Sequence, residues 1–251
     1  MAEMHVDVIE SSSTVEERDP VAHTLVLAIL GVIVIALLGL AYVLVSGVVN
    51  PTTPRTALEA QLAAVREATI ANPASGKVWA DYITALVAVE DYGEAERVLD
   101  QSMEVLQGDN LLLVEISGVE MLLAQEKYDD AFELAEATVA LEKEQRDKAL
   151  REAMERGIRA DPKLYAPDIA TDTYLNHARA AAGLDKWETV VASLTTALEY
   201  TPRAADLLYL RGDAYLHLDK TDDAVADFNS ALQYDPEFEA ARSALEKVGE
   251  Q

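Results

Sequence analysis

The chain has no cysteine, only 3 Phe and 2 Trp, and just 20 Lys and Arg to set against 45 Asp and Glu in 251 residues. Without cysteine there is no disulfide framework, thiolate nucleophile, Cys-ligated zinc, iron–sulfur cluster or lipid-modified cysteine anchor. Phosphate neutralisation needs clustered cations, so a net charge of −25 and a pI near 4.3 argue against nucleic acid as a partner. The same charge opposes adsorption to anionic lipid. Glycine-rich phosphate loops, nucleophile elbows and histidine pairs four apart are missing too, and only His5, His23, His177 and His217 could offer an imidazole. The expectation is a protein that is not an enzyme, with no cofactor and no metal.

Half of the residues are hydrophobic, yet mean hydropathy is only +0.03, so apolarity and charge must be segregated along the chain. From Val21 to Val49 no Asp, Glu, Lys or Arg occurs, a stretch of 29 residues. A hydrocarbon core of about 30 Å requires about 20 residues of helix, so this run predicts a single transmembrane helix over 21–49. A cleaved signal peptide would have a shorter apolar region behind a basic start. Here the preceding residues carry six acids and only Arg18. Residues 1–20 read as a disordered acidic tail, and Asn50-Pro51-Thr52-Thr53-Pro54 as a stiff linker over 50–54, because proline cannot continue a helix. A separate domain follows over 55–251.

Within that domain, displacing the sequence by 34 residues aligns Tyr174 with Leu208, Ala178 with Gly212, Val190 with Ala224, Leu194 with Phe228, Ala197 with Ala231 and Pro202 with Pro236. A fixed period of this length marks stacked supersecondary units. Apolar and small residues recur at three- and four-residue steps, break at Asp-Lys, resume and stop at proline, which describes two antiparallel helices per unit. Gly or Ala is needed wherever the two helices cross closely.

Leu208, Gly212, Tyr215, Ala224, Phe228, Ala231 and Pro236 resemble the signature of the tetratricopeptide repeat (TPR) over 205–238, and 171–204 is similar with Ala178 and Leu194 in two slots. Weaker units occupy about 76–109 and 112–145, pairing Tyr92 with Tyr128 and Ala95 with Ala131. The second has Glu115 where the first has Trp79, which puts its leading helix in doubt. Thr56 to Ile70, with Leu58, Leu62, Val65 and Ile70 on one face, reads as an orphan closing helix, and 238–248 as a capping helix. The resemblance implies an all-α TPR-type solenoid of helical hairpins.

The register fails once: Ala131 to Val190 is 59 residues, 25 more than a period. The excess holds an irregular charged helix over 141–159 with five acid-to-base pairs four apart, among them Glu142–Arg146 and Glu152–Arg156, the pattern of an exposed helix. Its other face, Ala149, Leu150, Ala153, Met154 and Ile158, is expected to pack on a neighbour. The following loop, Asp161 to Pro167, is expected to split the superhelix into two lobes.

What the resemblance implies for function is a concave surface lined by leading helices, where a peptide or partner helix lies. Its pattern assigns Asp172, Leu175, Asn176 and Arg179 from one unit and Asp206, Tyr209, Asp213 and Leu216 from the next. These mix apolar and acidic groups and suit an apolar or basic protein or peptide partner. The family subset that grips a C-terminal carboxylate uses Lys and Asn there, and this chain departs from that pattern. The expected function is a membrane-anchored scaffold or assembly factor contacting the lipid bilayer through 21–49. A structural accessory subunit of a membrane complex is the alternative, and an enzyme with an unrecognised site the least favoured. Flanking charges leave orientation open. The lack of cysteine favours the repeats on the extracytoplasmic side of a plasma (inner) membrane.

Overall fold

The structure is a computed structural model that describes residues 57–164 and 166–249. The acidic tail 1–20, the apolar run 21–49 and the linker 50–54 lie outside them, as does Gln251. Among the described residues there are ten α-helices, one short 3₁₀ turn (Pro162–Leu164) and no strand. No described helix is long and apolar enough to cross a membrane.

The helices are α1 (Ala57–Ala71), α2 (Gly76–Ala88), α3 (Tyr92–Val105), α4 (Asp109–Ala124), α5 (Tyr128–Glu155), α6 (Pro167–Ala182), α7 (Trp187–Tyr200), α8 (Ala205–His217), α9 (Thr221–Tyr234) and α10 (Glu239–Gly249). Each leading helix packs on its closing helix: α2 on α3, α4 on α5, α6 on α7 and α8 on α9. Units join because α2 also packs on α4, α4 on α6, α5 on α6 and α7 on α8, while α1 adds to α2 and α10 to α9.

The hairpins share one turn. Glu90, Glu126, Asp185 and Asp219 each stand two residues before a closing helix with φ of 59°, 57°, 55° and 57°. In each, the next N–H donates back to the leading helix: Asp91 to Leu86, Lys127 to Leu122, Lys186 to Ala181 and Lys220 to Tyr215, at 2.9–3.0 Å. That six-to-one bond satisfies a carbonyl the helix end would leave unpaired, and it requires the left-handed conformation that glycine adopts most cheaply. Acidic residues occupy it here in all four units.

Four residues into each closing helix, the aligned slots Ala95, Ala131, Val190 and Ala224 are buried, three of them completely. Leu194 and Phe228, which the 34-residue displacement superposes, are likewise buried at 1% and 0% exposure. Gly212 lies beneath Phe228, where a Cβ would come within 2.6 Å of the ring. The doubtful second unit is complete: α4 forms in full, and Glu115 is buried at 6% exposure in place of an aromatic. The orphan helix α1 is present, but its inner face is Leu62, Val65 and Thr69, while Ile70 is 76% exposed.

Three expectations for the insertion need correction. The charged segment is no separate helix, because α5 runs unbroken for 28 residues and ends only at Glu155, two residues before Gly157, where φ is +73°. No proline or glycine interrupts 128–155, so nothing stops the closing helix of the second unit from continuing. Its apolar face is not covered throughout: Met154 and Ile158 are 73% and 55% exposed. Nor does the loop split the array into lobes, because Val119, Ala131, Ala135 and Ala180 form a cluster joining α4, α5 and α6. Alanines at those places let α6 close onto α5 despite the detour between them.

Candidate protein-binding groove

The residues assigned to the concave surface divide into two groups. Tyr209, Asp213 and Leu216 project from one face of α8, three and four residues apart, and meet Ala240, Ser243, Ala244, Lys247 and Val248 of α10 across a cavity of about 450 Å³. The ring of Tyr209 is fixed from beneath by Phe228 (5.7 Å between centroids) and from the side by Phe238 (5.4 Å, edge-on). Asp213 stands one turn before His217, 3.9 Å from its Nε2. The imidazole in turn stacks flat on Trp187, 3.7 Å between centroids. The wall of the groove is therefore mixed: Tyr209, Leu216, Ala240, Ala244 and Val248 alternate with the hydroxyls of Thr221 and Ser243, carboxylates from Asp213 and Asp219 and a single lysine, Lys247. Asp206, exposed in the first turn of α8, does not line it.

The α6 residues do other work. Leu175 is half-buried against the C-terminal core. Asn176 is buried, and its Nδ2 donates to Glu120 Oε1 of α4 at 3.4 Å, tying two leading helices together. Asp172 and Arg179 are exposed. Crowding by surrounding protein lifts the Asp172 carboxyl above its usual range, with Glu120 and Asp168 adding to the effect and Arg179 opposing it. The contribution of α10 to the groove was not read from the sequence, where this helix reads only as a cap. The signal was present as Ala240, Ala244 and Val248 at four-residue steps, which give the helix a narrow apolar stripe.

A second polar constellation lies on α5 and was also missed. Glu142 is 2% exposed and accepts from Arg146 Nη1 at 2.9 and 3.0 Å. The same Nη1 donates to the Tyr200 hydroxyl at 2.6 Å, and the Tyr174 hydroxyl donates to Glu142 Oε2 at 3.3 Å. The two phenol rings stack at 6.4 Å. Burial raises the Glu142 carboxyl, against the opposing charge of Arg146, and burial pushes the Tyr174 hydroxyl up to about 12. The network therefore fastens α5 to α6 and α7 at the point where the extra length begins. A cavity of about 520 Å³ opens beside it, walled by Lys143, Leu150, Lys163 and Glu199.

The two described histidines, His177 and His217, serve packing. His177 stacks on Phe132 at 5.1 Å and its Nδ1 meets Ser193 Oγ at 2.8 Å. Burial holds this imidazole below its ordinary value, opposed by Glu136 and reinforced by Lys143 and Lys186. Among the described residues no group of three or more His, Asp or Glu is placed to hold a metal ion.

The tetratricopeptide repeat family model matches residues 205–238, the hairpin of α8 and α9 with its closing proline. No curated protein matches the chain. Among solved structures the fold is similar to MamA from residue 41 to the end from Desulfovibrio magneticus RS-1, at 17% identity over 73% of this chain and 89% of that one, with a TM-score of 0.52. A MamA RS-1 ArsTM double mutant gives the same identity and TM-score over 71% of this chain and 85% of that one. Residues 205–238 are thus a tetratricopeptide repeat, set in an all-α solenoid of helical hairpins.

Proposed function

We propose that this protein is a membrane-anchored, non-enzymatic scaffold that holds another protein at a bilayer. The observation that carries the reading is the groove between α8 and α10, where Tyr209 and Leu216 offer an apolar bed and Asp213 and Asp219 a negative edge. Such a surface suits a segment with apolar anchors and basic flanks, and complementary charge serves encounter and specificity more than tight binding. The anchor is the charge-free run Val21–Val49, long enough to span. The repeats lie on the extracytoplasmic side of a plasma membrane, where a cysteine-free domain has no thiol to oxidise.

Copurification from mild detergent tests the reading. Tagged full-length protein should retain a partner that is lost on raising salt and lost with Ser243→Trp, which fills the groove from an exposed position. Retention of the same partner by Ser243→Trp at every salt concentration would place binding elsewhere. A constant one-to-one complex resistant to salt would instead favour a permanent accessory subunit. A single cysteine at Gln251 reports the side: labelling of intact cells by an impermeant maleimide supports the extracytoplasmic placement, and labelling only after lysis refutes it.

A further inference from the structure

The chain is acidic almost everywhere, and one segment runs against that. Residues 143–163, the C-terminal half of α5 and the loop after it, hold 7 of the 20 Lys and Arg against 5 acids. Three of the cations have partners nearby: Arg146 on Glu142, Arg156 on Glu152 at 3.6 Å and Lys163 on Glu199 at 3.4 Å. Only the first of these is buried. At the tip, Met154 and Ile158 stand in solvent at 73% and 55% exposure, and Arg151, Arg156 and Arg159 are exposed around them. Exposed apolar side chains ringed by arginine are the composition of a surface that enters a lipid headgroup layer.

We propose that this tip is a contact with the anionic surface of the bilayer, Met154 and Ile158 entering the headgroup boundary and Arg151, Arg156 and Arg159 meeting lipid phosphates. The proposal rests on the reading of residues 21–49 as the anchor. Residues 50–56 then separate span from α1, and seven residues reach about 25 Å at most. The domain is held at the membrane whether or not it adheres. With 39 Asp and Glu against 19 Lys and Arg over 55–251 it is repelled by anionic headgroups over most of its surface, so the favoured face is one that is locally positive and apolar, as this tip is. Arginine suits the contact because its planar fork pairs two-to-two with phosphate oxygens. The Glu142–Arg146–Tyr200 network fixes the base of the projection, so tip contact would orient the whole array.

The absence of cysteine allows a clean test. Full-length protein carrying Met154→Cys, labelled with an environment-sensitive fluorophore, is reconstituted in nanodiscs of phosphatidylcholine alone or with phosphatidylglycerol added. The expected result is a blue shift and several-fold brighter emission only with phosphatidylglycerol, reversed by high salt and lost when Arg151, Arg156 and Arg159 are changed to Glu. A label at exposed Asp222→Cys should report no difference, and the helical circular dichroism of the Glu variants should be unchanged. Identical water-like emission from the Met154 label in both discs would overturn the contact while leaving the anchor intact. A shift that appears in detergent and grows with protein concentration would make the tip a contact between chains and overturn the lipid assignment. Failure of the chain to elute with the discs would refute the anchor itself, and the proposal with it.

Discussion

Glu142 and Arg146 are four residues apart on α5, yet their side chains are only 2% and 16% exposed, so the pair is an internal one. Two tyrosines from other helices complete its surroundings, the Tyr200 hydroxyl accepting from Arg146 and the Tyr174 hydroxyl donating to Glu142. A pair of this kind is worth little against a well-packed apolar replacement, but removing one partner strands a buried charge.

Arg146→Met should therefore destabilise the domain by about 3–5 kcal/mol. Glu142→Leu, Arg146→Met and Tyr200→Phe together should recover most of that loss. Urea unfolding followed by far-ultraviolet circular dichroism measures both. A single variant as stable as the parent would mean the carboxyl is solvated.

Gly212→Leu should be costly for a different reason, since even a Cβ there lies within 2.6 Å of the Phe228 ring and 3.2 Å of the Ala224 carbonyl. Overpacking of this kind costs about 1–3 kcal/mol. At about 2–4 °C per kcal/mol for a domain of this size, the melting temperature should fall by roughly 2–12 °C. An unchanged melting curve would show that α8 and α9 do not cross at Gly212.

Glu115 supplies a pH dependence. Burial raises its carboxyl, with a hydrogen bond from Thr138 opposing, and its Oε2 has no partner in the structure. The folded state therefore holds the proton more tightly than the unfolded chain, whose glutamate titrates near 4.3. The stability tied to that proton is complete below the unfolded value and is lost as pH rises through the folded one. Glu115→Gln should match the parent at low pH and exceed it at pH 7. Urea midpoints at several pH values would show the two curves diverging upward from about pH 4, and parallel curves would contradict this account.

The four left-handed turns make a graded prediction. A non-glycine residue in this conformation carries a penalty of about 1–2 kcal/mol, smaller for Asp, whose short side chain bonds locally. Glu90→Gly and Glu126→Gly should thus each stabilise by up to about 1 kcal/mol, and Asp185→Gly and Asp219→Gly by less. Thermal melts of the four single variants check the order.

The hairpins were legible in the sequence because small residues must recur where helices cross, and Ala197, Ala231 and Gly212 occupy those crossings at a fixed period. The weak second unit was underestimated because Glu115 breaks the apolar pattern, although a carboxyl whose hold on its proton is raised by burial occupies that core position here. The insertion was misread for a related reason. An acid and a base four apart look alike whether water or two tyrosines surround them, and the tyrosines here come from 32 and 54 residues away. The groove was half legible. Tyr209, Asp213 and Leu216 of α8 fall beside the cavity by the repeat's own register and Asp206 does not, whereas the opposing wall belongs to α10, which falls outside the repeat and carries no such register.

The helix that begins the described domain is lightly secured. α1 packs chiefly on α2, and of its 15 residues only Thr69 is buried. Tension arriving through the chain at residue 57 would meet this helix before any hairpin. Pulling on the chain there is expected to part α1 from α2 first, while the core behind it, where the Trp79 indole N–H donates to the Pro73 carbonyl at 2.8 Å, stays closed.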